Sequence, residues 1–126
     1  MKIRIYYEDT DCGNVVYYAN YLRYMERSRT EFLRERNVDL ASYQKNGFLF
    51  AVIEAHLKYR ASAHYDDLLE VESRIKEITS VSITFTTEIY NQNKQLLVTG
   101  EVKLACVNSS GKATRIPEDI REKVGG

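Results

Sequence analysis

Between residues 49 and 107, apolar and polar side chains alternate in four long runs, and this pattern limits the possible folds more than any other feature. The odd positions of residues 49–61 are all apolar, and residues 69–76, 81–89 and 96–106 also follow a period of two. That period is typical of β-strands with one buried face. Short turns such as residues 91–94 separate the later runs, so we predict an antiparallel meander of hairpins.

A single long helix is predicted over residues 16–36. Its apolar stripe recurs at spacings of four, four, three and four and consists of Tyr17, Tyr21, Met25, Ser28 and Phe32. A short half-buried strand over residues 2–7 precedes it. Two further short helices are expected, one that a capping Asp39 opens and that ends before Asn46, and one that Pro117 opens near the end of the chain.

These elements predict one α+β domain over residues 1–126. An antiparallel sheet has one face that must be covered, and the one long helix is the element available to cover it. The opposite face carries many Ser, Thr and charged residues together with Tyr90. Self-association through part of this surface is therefore expected.

Composition narrows the classes of function. The 18 basic and 18 acidic side chains cancel, which disfavours a nucleic-acid binder. The longest apolar run, residues 48–53, is too short to cross a membrane, and the first residues lack the features of a signal peptide. Cys12 and Cys106 have no metal-ligand or redox spacing. We therefore expect a cytoplasmic protein without a transmembrane segment.

An acidic loop leads directly into the long helix. Carboxylates in this position usually cap the helix or interact favourably with its dipole. A functional alternative is that backbone N–H groups at the helix start bind a substrate oxygen while a carboxylate attacks or activates water. For Asp9 we favour a role in structuring the loop, through bonds to backbone amides. Asp11 is the candidate for chemistry.

The run Tyr-Glu-Asp-Thr-Asp-Cys-Gly-Asn-Val-Val-Tyr-Tyr-Ala-Asn-Tyr at residues 7–21 resembles the signature of hotdog-fold acyl-CoA thioesterases of the YbgC and 4-hydroxybenzoyl-CoA thioesterase family. The run follows the first predicted strand, as in that family. The later Tyr65-Asp66-Asp67 and Arg115-Ile116-Pro117 extend the similarity over nearly the whole chain. The resemblance implies a long helix wrapped by a five- or six-stranded antiparallel sheet, and dimers or tetramers with active sites at the dimer interface.

The resemblance also implies roles for three residues. Asp11 matches the family's essential carboxylate, which acts as nucleophile or general base. The backbone N–H of Tyr18 matches the group that polarises the thioester carbonyl, and Tyr7 matches a position linked to activity in some members. Many YbgC-type members carry histidine where this chain has Tyr18, so a mechanism that needs an imidazole there does not apply. No metal or organic cofactor is expected, since coenzyme A is part of the substrate.

Several other residues are candidates for a role in binding or chemistry. Lys58 and Arg60 share one face of a predicted strand and are candidates to bind the coenzyme A phosphates, as are Arg74 and Lys76; solvated surface charge is the alternative for each. Cys12 lacks a cysteine-hydrolase motif, and we expect a small buried residue or a bystander. His56 and His64 do not make a metal site. Two other functions stay open: a dehydratase acting on 3-hydroxyacyl thioesters, and a non-catalytic dimeric module that binds acyl-CoA or a protein.

Overall fold

The computed structural model describes residues 1–125, and within them five strands and three α-helices are formed. In chain order they are β1 (Lys2–Arg4), α1 (Asn20–Glu35), α2 (Leu40–Lys45), β2 (Leu49–Tyr59), β3 (Leu68–Ile78), β4 (Ser82–Tyr90), β5 (Leu96–Val107) and α3 (Glu118–Gly125). One turn of 3-10 helix, Tyr7–Asp9, lies between β1 and α1. The predicted α+β class and the pairing of one long helix with a sheet are confirmed.

The first strand and the long helix are shorter than predicted. The first strand ends at Arg4, because the chain turns into the 3-10 helix instead of continuing to residue 7. The long helix begins at Asn20, so Tyr17 stands before it and is exposed, although it was placed in the buried stripe. Asp39 does cap α2: its carboxylate accepts from the Ala41 amide at 3.2 Å and the Ser42 hydroxyl at 3.1 Å.

The five strands form one antiparallel sheet in the order β1-β3-β4-β5-β2. β3, β4 and β5 are the predicted meander. The prediction is wrong for β2, which pairs with β5 and not with its successor β3. The segment over residues 60–67 carries the chain from one side of the sheet to the other, so β2 becomes an edge strand.

Helix α1 lies across one face of the sheet. Met25 packs where β5 has Gly100, and a Cβ atom at that glycine would lie 2.5 Å from the Met25 methyl carbon. On the β3 side, the Ser28 hydroxyl lies 2.8 Å from that of Ser73, which in turn lies 2.9 Å from that of Thr87. Close approach and paired hydroxyls thus hold the helix at a defined height above the strands.

The other face of the sheet, called here the outer face, is polar. Cross-strand ion pairs join Arg74 to Glu88 at 3.2 Å and Lys76 to Glu101 at 2.6 Å. Bonding to each other raises the pKa of Lys76 and lowers the pKa of Glu101. These pairs are exposed and contribute little to stability.

Candidate active site

The segment after the 3-10 helix is a tight hairpin-like loop, residues 10–16. The Asp11 amide donates to the Val15 carbonyl at 2.9 Å, and Thr10 and Val16 form an isolated bridge. Asn14, which occupies the left-handed region at φ 62°, makes the turn and donates to the Asp11 carbonyl. The backbone on both sides of Asp11 is therefore fixed by local bonds.

The loop is anchored to the connection between β2 and β3. The Val16 amide donates to the Ala63 carbonyl at 2.9 Å, and Val15 bridges to His64. Asp67 stabilises that connection, because its carboxylate accepts from the His64 amide at 2.8 Å and from the Gln92 side chain at 3.0 Å. The acidic loop thus lies at the end of the sheet where these turns meet.

The two aspartates of the loop have different surroundings. The Asp9 carboxylate accepts from the Tyr6 amide at 2.8 Å, and the Asp9 carbonyl accepts from the Asn20 side chain at 2.9 Å. Asp9 therefore has the structural role expected for it. Asp11 is exposed, and within residues 1–125 its carboxylate has one bond, from the Gly13 amide to Oδ1 at 2.9 Å. Its second oxygen is open to a substrate or to water.

The start of α1 offers free donors. Its N-cap is Ala19, which provides no side-chain cap. The first amides that bond within the turn are those of Asn20, Tyr21 and Leu22. In the described part of the chain, the amides of Tyr18 and Ala19 donate to no acceptor. Unpaired amides at a helix start favour a developing negative charge on a bound oxygen.

Tyrosine rings surround this helix start. The Tyr18 and Tyr59 rings lie 6.3 Å apart at 87°, and each is about half exposed, at 61% and 49%. The Tyr17 ring lies 5.0 Å from that of Tyr18, tilted by 56°, and the buried Tyr21 closes the inner side 5.7 Å from Tyr59. We call Tyr18 and Tyr59 the aromatic corner. Sequence reasoning did not select Tyr59, although its place among the apolar odd positions of β2 indicated a side chain facing α1.

Tyr7 points to a different surface from Tyr18. It is exposed and meets Tyr65 edge to face at 6.0 Å. Both line an open groove of about 480 Å³, together with Arg4, whose guanidinium donates to the Asp66 carbonyl at 2.8 Å. The structure describes no bond from the Tyr7 hydroxyl within residues 1–125. Its proposed link to activity stays a prediction.

Lys58 and Arg60 lie on the outer face, in an open groove of about 640 Å³ that Arg74 also lines. They flank Tyr59, whose ring points the opposite way, toward α1. Arg74 is neutralised by Glu88, whereas Lys58 and Arg60 have no acidic partner among the described residues. Two unpaired cations therefore lie across the sheet from the aromatic corner.

The remaining candidates are placed as follows. Cys12 is exposed, so of the two alternatives expected for it the buried one is wrong and the bystander remains; Cys106 is buried, and both are free thiols. His56 lies on the outer face with Lys58. Among residues 1–125, no group of three or more His, Cys, Asp or Glu is arranged to hold a metal ion. None of the helices in that range is long and apolar enough to span a membrane.

A five-stranded antiparallel sheet around one long helix, with a carboxylate loop before the helix start, is the architecture of the hotdog thioesterases. The family model of the thioesterase-like superfamily matches residues 6–124, so the chain belongs to that superfamily. It is 39% identical over 119 residues to the acyl-CoA thioester hydrolase YbgC of Escherichia coli O6:H1, covering 94% of this chain and 89% of that protein.

Solved structures of other proteins share this fold. A probable thioesterase from Bartonella henselae matches with a TM-score of 0.86 and 33% identity, over 93% of this chain and 97% of that one. A hypothetical protein from Aquifex aeolicus matches with a TM-score of 0.92 and 26% identity, over 98% and 97% of the two chains. The hotdog fold predicted from the sequence is thereby confirmed.

Proposed function

We propose that this chain is an acyl-CoA thioesterase that hydrolyses a coenzyme A thioester to the free acid and coenzyme A. The observation that carries the proposal is the exposed Asp11 carboxylate, held in a bonded loop next to the free amides of an uncapped helix. The printed names of the YbgC relatives, acyl-CoA thioester hydrolase and acyl-CoA thioesterase, support it.

In the proposed reaction the thioester carbonyl oxygen accepts a hydrogen bond from the Tyr18 N–H at the start of α1. Asp11 then acts in one of two ways. As a general base it takes a proton from water, whose oxygen adds to the carbonyl carbon; as a nucleophile it forms an anhydride that water hydrolyses. In both routes the carbon–sulfur bond breaks and coenzyme A leaves as its thiolate. The free amide stabilises the oxyanion of each tetrahedral intermediate.

We also propose that the active form is a dimer, or a tetramer of two dimers. β2 pairs on one side with β5, and over residues 1–125 its other edge has no strand beside it. At its bulge the strand exposes Val52 and Ile53, at 51% and 55%. A long edge strand with exposed apolar residues readily pairs with a second strand. A second copy at this edge would come close to the aromatic corner, as the family's interfacial active sites require.

Binding of the coenzyme A phosphates by Lys58 and Arg60 is a further part of the proposal. Neither cation has an acidic partner in the part of the chain that the structure describes, and both belong to the same stretch of chain as Tyr59. Because they lie on the outer face, the pantetheine arm has to pass around the end of the sheet to reach Asp11. The proposed path therefore runs from the outer face of the sheet to the face that α1 covers.

No resident metal or organic cofactor is part of the proposal, and two free thiols suit a reducing compartment such as the cytoplasm.

The test is hydrolysis of a panel of short, long and aromatic acyl-CoA esters by the parent protein and by Asp11→Asn. We expect the substitution to lower kcat at least about a hundredfold, because it removes the base or nucleophile. Glu8→Gln is the matched control, since Glu8 is an exposed carboxylate of the same segment, and it should retain activity. If Asp11→Asn is as fast as the parent, the assignment is wrong. Formation of an enoyl double bond without thiol release would point to a dehydratase, and coenzyme A binding without turnover to a binding module.

A further inference from the structure

Arg29, in the third turn of α1, is a half-buried cation without an acceptor among residues 1–125. Its side chain lies among apolar residues that include Leu33, Leu40 and Phe50. Within residues 1–125 its guanidinium makes no hydrogen bond and has no carboxylate within 4 Å, whereas Arg34, later in α1, pairs with Glu31. Burial lowers the pKa of Arg29, and the charge of Glu26 one turn earlier partly opposes this.

Such an arrangement is incomplete. A guanidinium carries five N–H donors and stays protonated, so taking it out of water without acceptors is unfavourable. Proteins normally pair a half-buried arginine with a carboxylate. Because no carboxylate of the described chain lies within 4 Å of it, a carboxylate from a second molecule would complete the arrangement.

Arg29 lies on the side of α1 toward β2, since it lines the same small cavity as Phe50 of that strand. Ser28 bonds to β3, so that side of the helix is occupied. Tyr18, just before the helix, touches Tyr59 of β2, and two positions within the helix that are seven residues apart lie on one side of it. These positions are Leu22, which is 41% exposed, and Arg29, with the exposed Glu26 between them.

This stripe is complementary to itself. If two copies meet with antiparallel α1 helices about a two-fold axis between positions 27 and 28, Glu26 of each helix faces Arg29 of the other. An isologous contact repeats every pair twice. One stripe thus supplies both the unpaired cation and its missing acceptor, and no third component is needed.

We propose that Arg29 is bonded by Glu26 of a second copy of this chain, so that two reciprocal bridges join the α1 helices beside the paired β2 edges. The inference rests on the proposed dimer and names the contact that holds it. Leu22 packs next to these bridges, near the aromatic corner. Loss of the bridges should therefore weaken assembly and, through it, the interfacial active sites.

The test is a charge-exchange cycle on the full chain, with the dimer dissociation constant measured by analytical ultracentrifugation. Arg29→Glu and Glu26→Arg should each raise that constant at least about tenfold, because each puts like charges together at two places. The double variant restores opposite charges and should return to within about threefold of the parent. Arg23→Glu, a charge reversal at an exposed α1 position, is the control and should leave the constant unchanged.

Each outcome of this cycle either supports or overturns the proposed pairing of Arg29 with Glu26. A parent chain that is monomeric at all concentrations, or a double variant as weak as the sum of the single ones, would overturn the pairing. If Arg29→Glu does not fold by circular dichroism, Arg29→Met keeps the apolar stem and removes the charge, and it should still weaken the dimer. If the chain hydrolyses thioesters but the effects of the two substitutions on the dissociation constant simply add, this inference alone is rejected. If the double variant regains the parent's dissociation constant but no thioester is hydrolysed, the proposed function alone is rejected.

Discussion

Gly100 is the position where α1 and the sheet come closest, and Gly100→Ala tests how tightly that contact is set. The added methyl carbon would lie 2.5 Å from the Met25 methyl carbon, 2.7 Å from its sulfur and 3.5 Å from Leu57 Cγ. Carbon atoms pack at about 3.5–4.0 Å, so the end of Met25 must withdraw by about 1 Å. Met25 is fully buried, so there is little space into which it can move.

The magnitude follows from two opposing effects. Overpacking a filled core costs about 1–3 kcal/mol. Gly100 adopts a conformation open to alanine, so the substitution also restricts the unfolded chain and regains about 0.4–1 kcal/mol. We expect a net loss of about 1–2 kcal/mol in the free energy of unfolding, or a fall in Tm of about 4–8 °C for a domain of this size. Thermal unfolding at a fixed protein concentration measures it, since a dimer's Tm depends on concentration.

Met25→Ala supplies the partner variant. Alone it leaves a cavity and should cost about 2–5 kcal/mol. Combined with Gly100→Ala, the new methyl group enters that cavity, so the double variant should be more stable than the sum of the two losses by at least about 1 kcal/mol. Strict additivity, or a Gly100→Ala protein as stable as the parent, would refute the close contact between α1 and β5.

Two further predictions concern the aromatic corner and the docking of α3. Tyr59→Leu should lower kcat/KM for an aromatic acyl-CoA ester about three- to tenfold relative to an aliphatic ester of similar size. The reason is that contacts between aromatic rings contribute about 0.5–1.5 kcal/mol beyond the burial of their surface area. An unchanged ratio would show that Tyr59 does not contact the acyl group. The Tyr43 hydroxyl donates to Asp119 at 2.5 Å, which lowers the pKa of Asp119. Burial, together with this bond, raises the pKa of Tyr43 to about 12. A carboxylate whose pKa is depressed on folding stabilises the fold above its unfolded pKa of about 3.9 and loses this effect as pH falls through the folded value. Tyr43→Phe should therefore have a lower Tm than the parent at pH 7, and the gap should close as pH falls below about 4; a gap of the same size at pH 2.5 would contradict the ion–hydroxyl pairing.

Residue patterns predicted most of the local structure correctly. The period of two located β3, β4 and β5, and the stripe containing Tyr21, Met25 and Ser28 located α1. These features depend on neighbours in the sequence, since the buried face of each element is recorded in its own spacing. The boundaries were less accurate where bonds to distant segments stop an element. The Tyr17 amide, for example, donates to Asp9 and so holds that residue outside the helix.

The candidate site was predicted in part. The signature around Asp11 predicted the loop, and the structure shows a bonded turn with an open carboxylate oxygen. The free amide at Tyr18 could be expected only from the resemblance, because no local pattern shows that the helix will lack a side-chain cap. Tyr59 was missed, since its partner Tyr18 lies 41 positions away in the sequence and only the pairing of β2 with β5 brings β2 alongside the start of α1.

The sequence by itself determined that this chain forms a hotdog domain with an acidic loop before its long helix, because period, capping residues and signature are local properties. Only the tertiary structure decided that β2 is an edge strand, that Lys58 and Arg60 lie across the sheet from Tyr59, and that Arg29 is half-buried with no acceptor among residues 1–125. Each of these depends on which strand pairs with which and on what lies opposite each side chain. Such contacts join residues far apart in the chain, and they exist only after the sheet has closed over the helix.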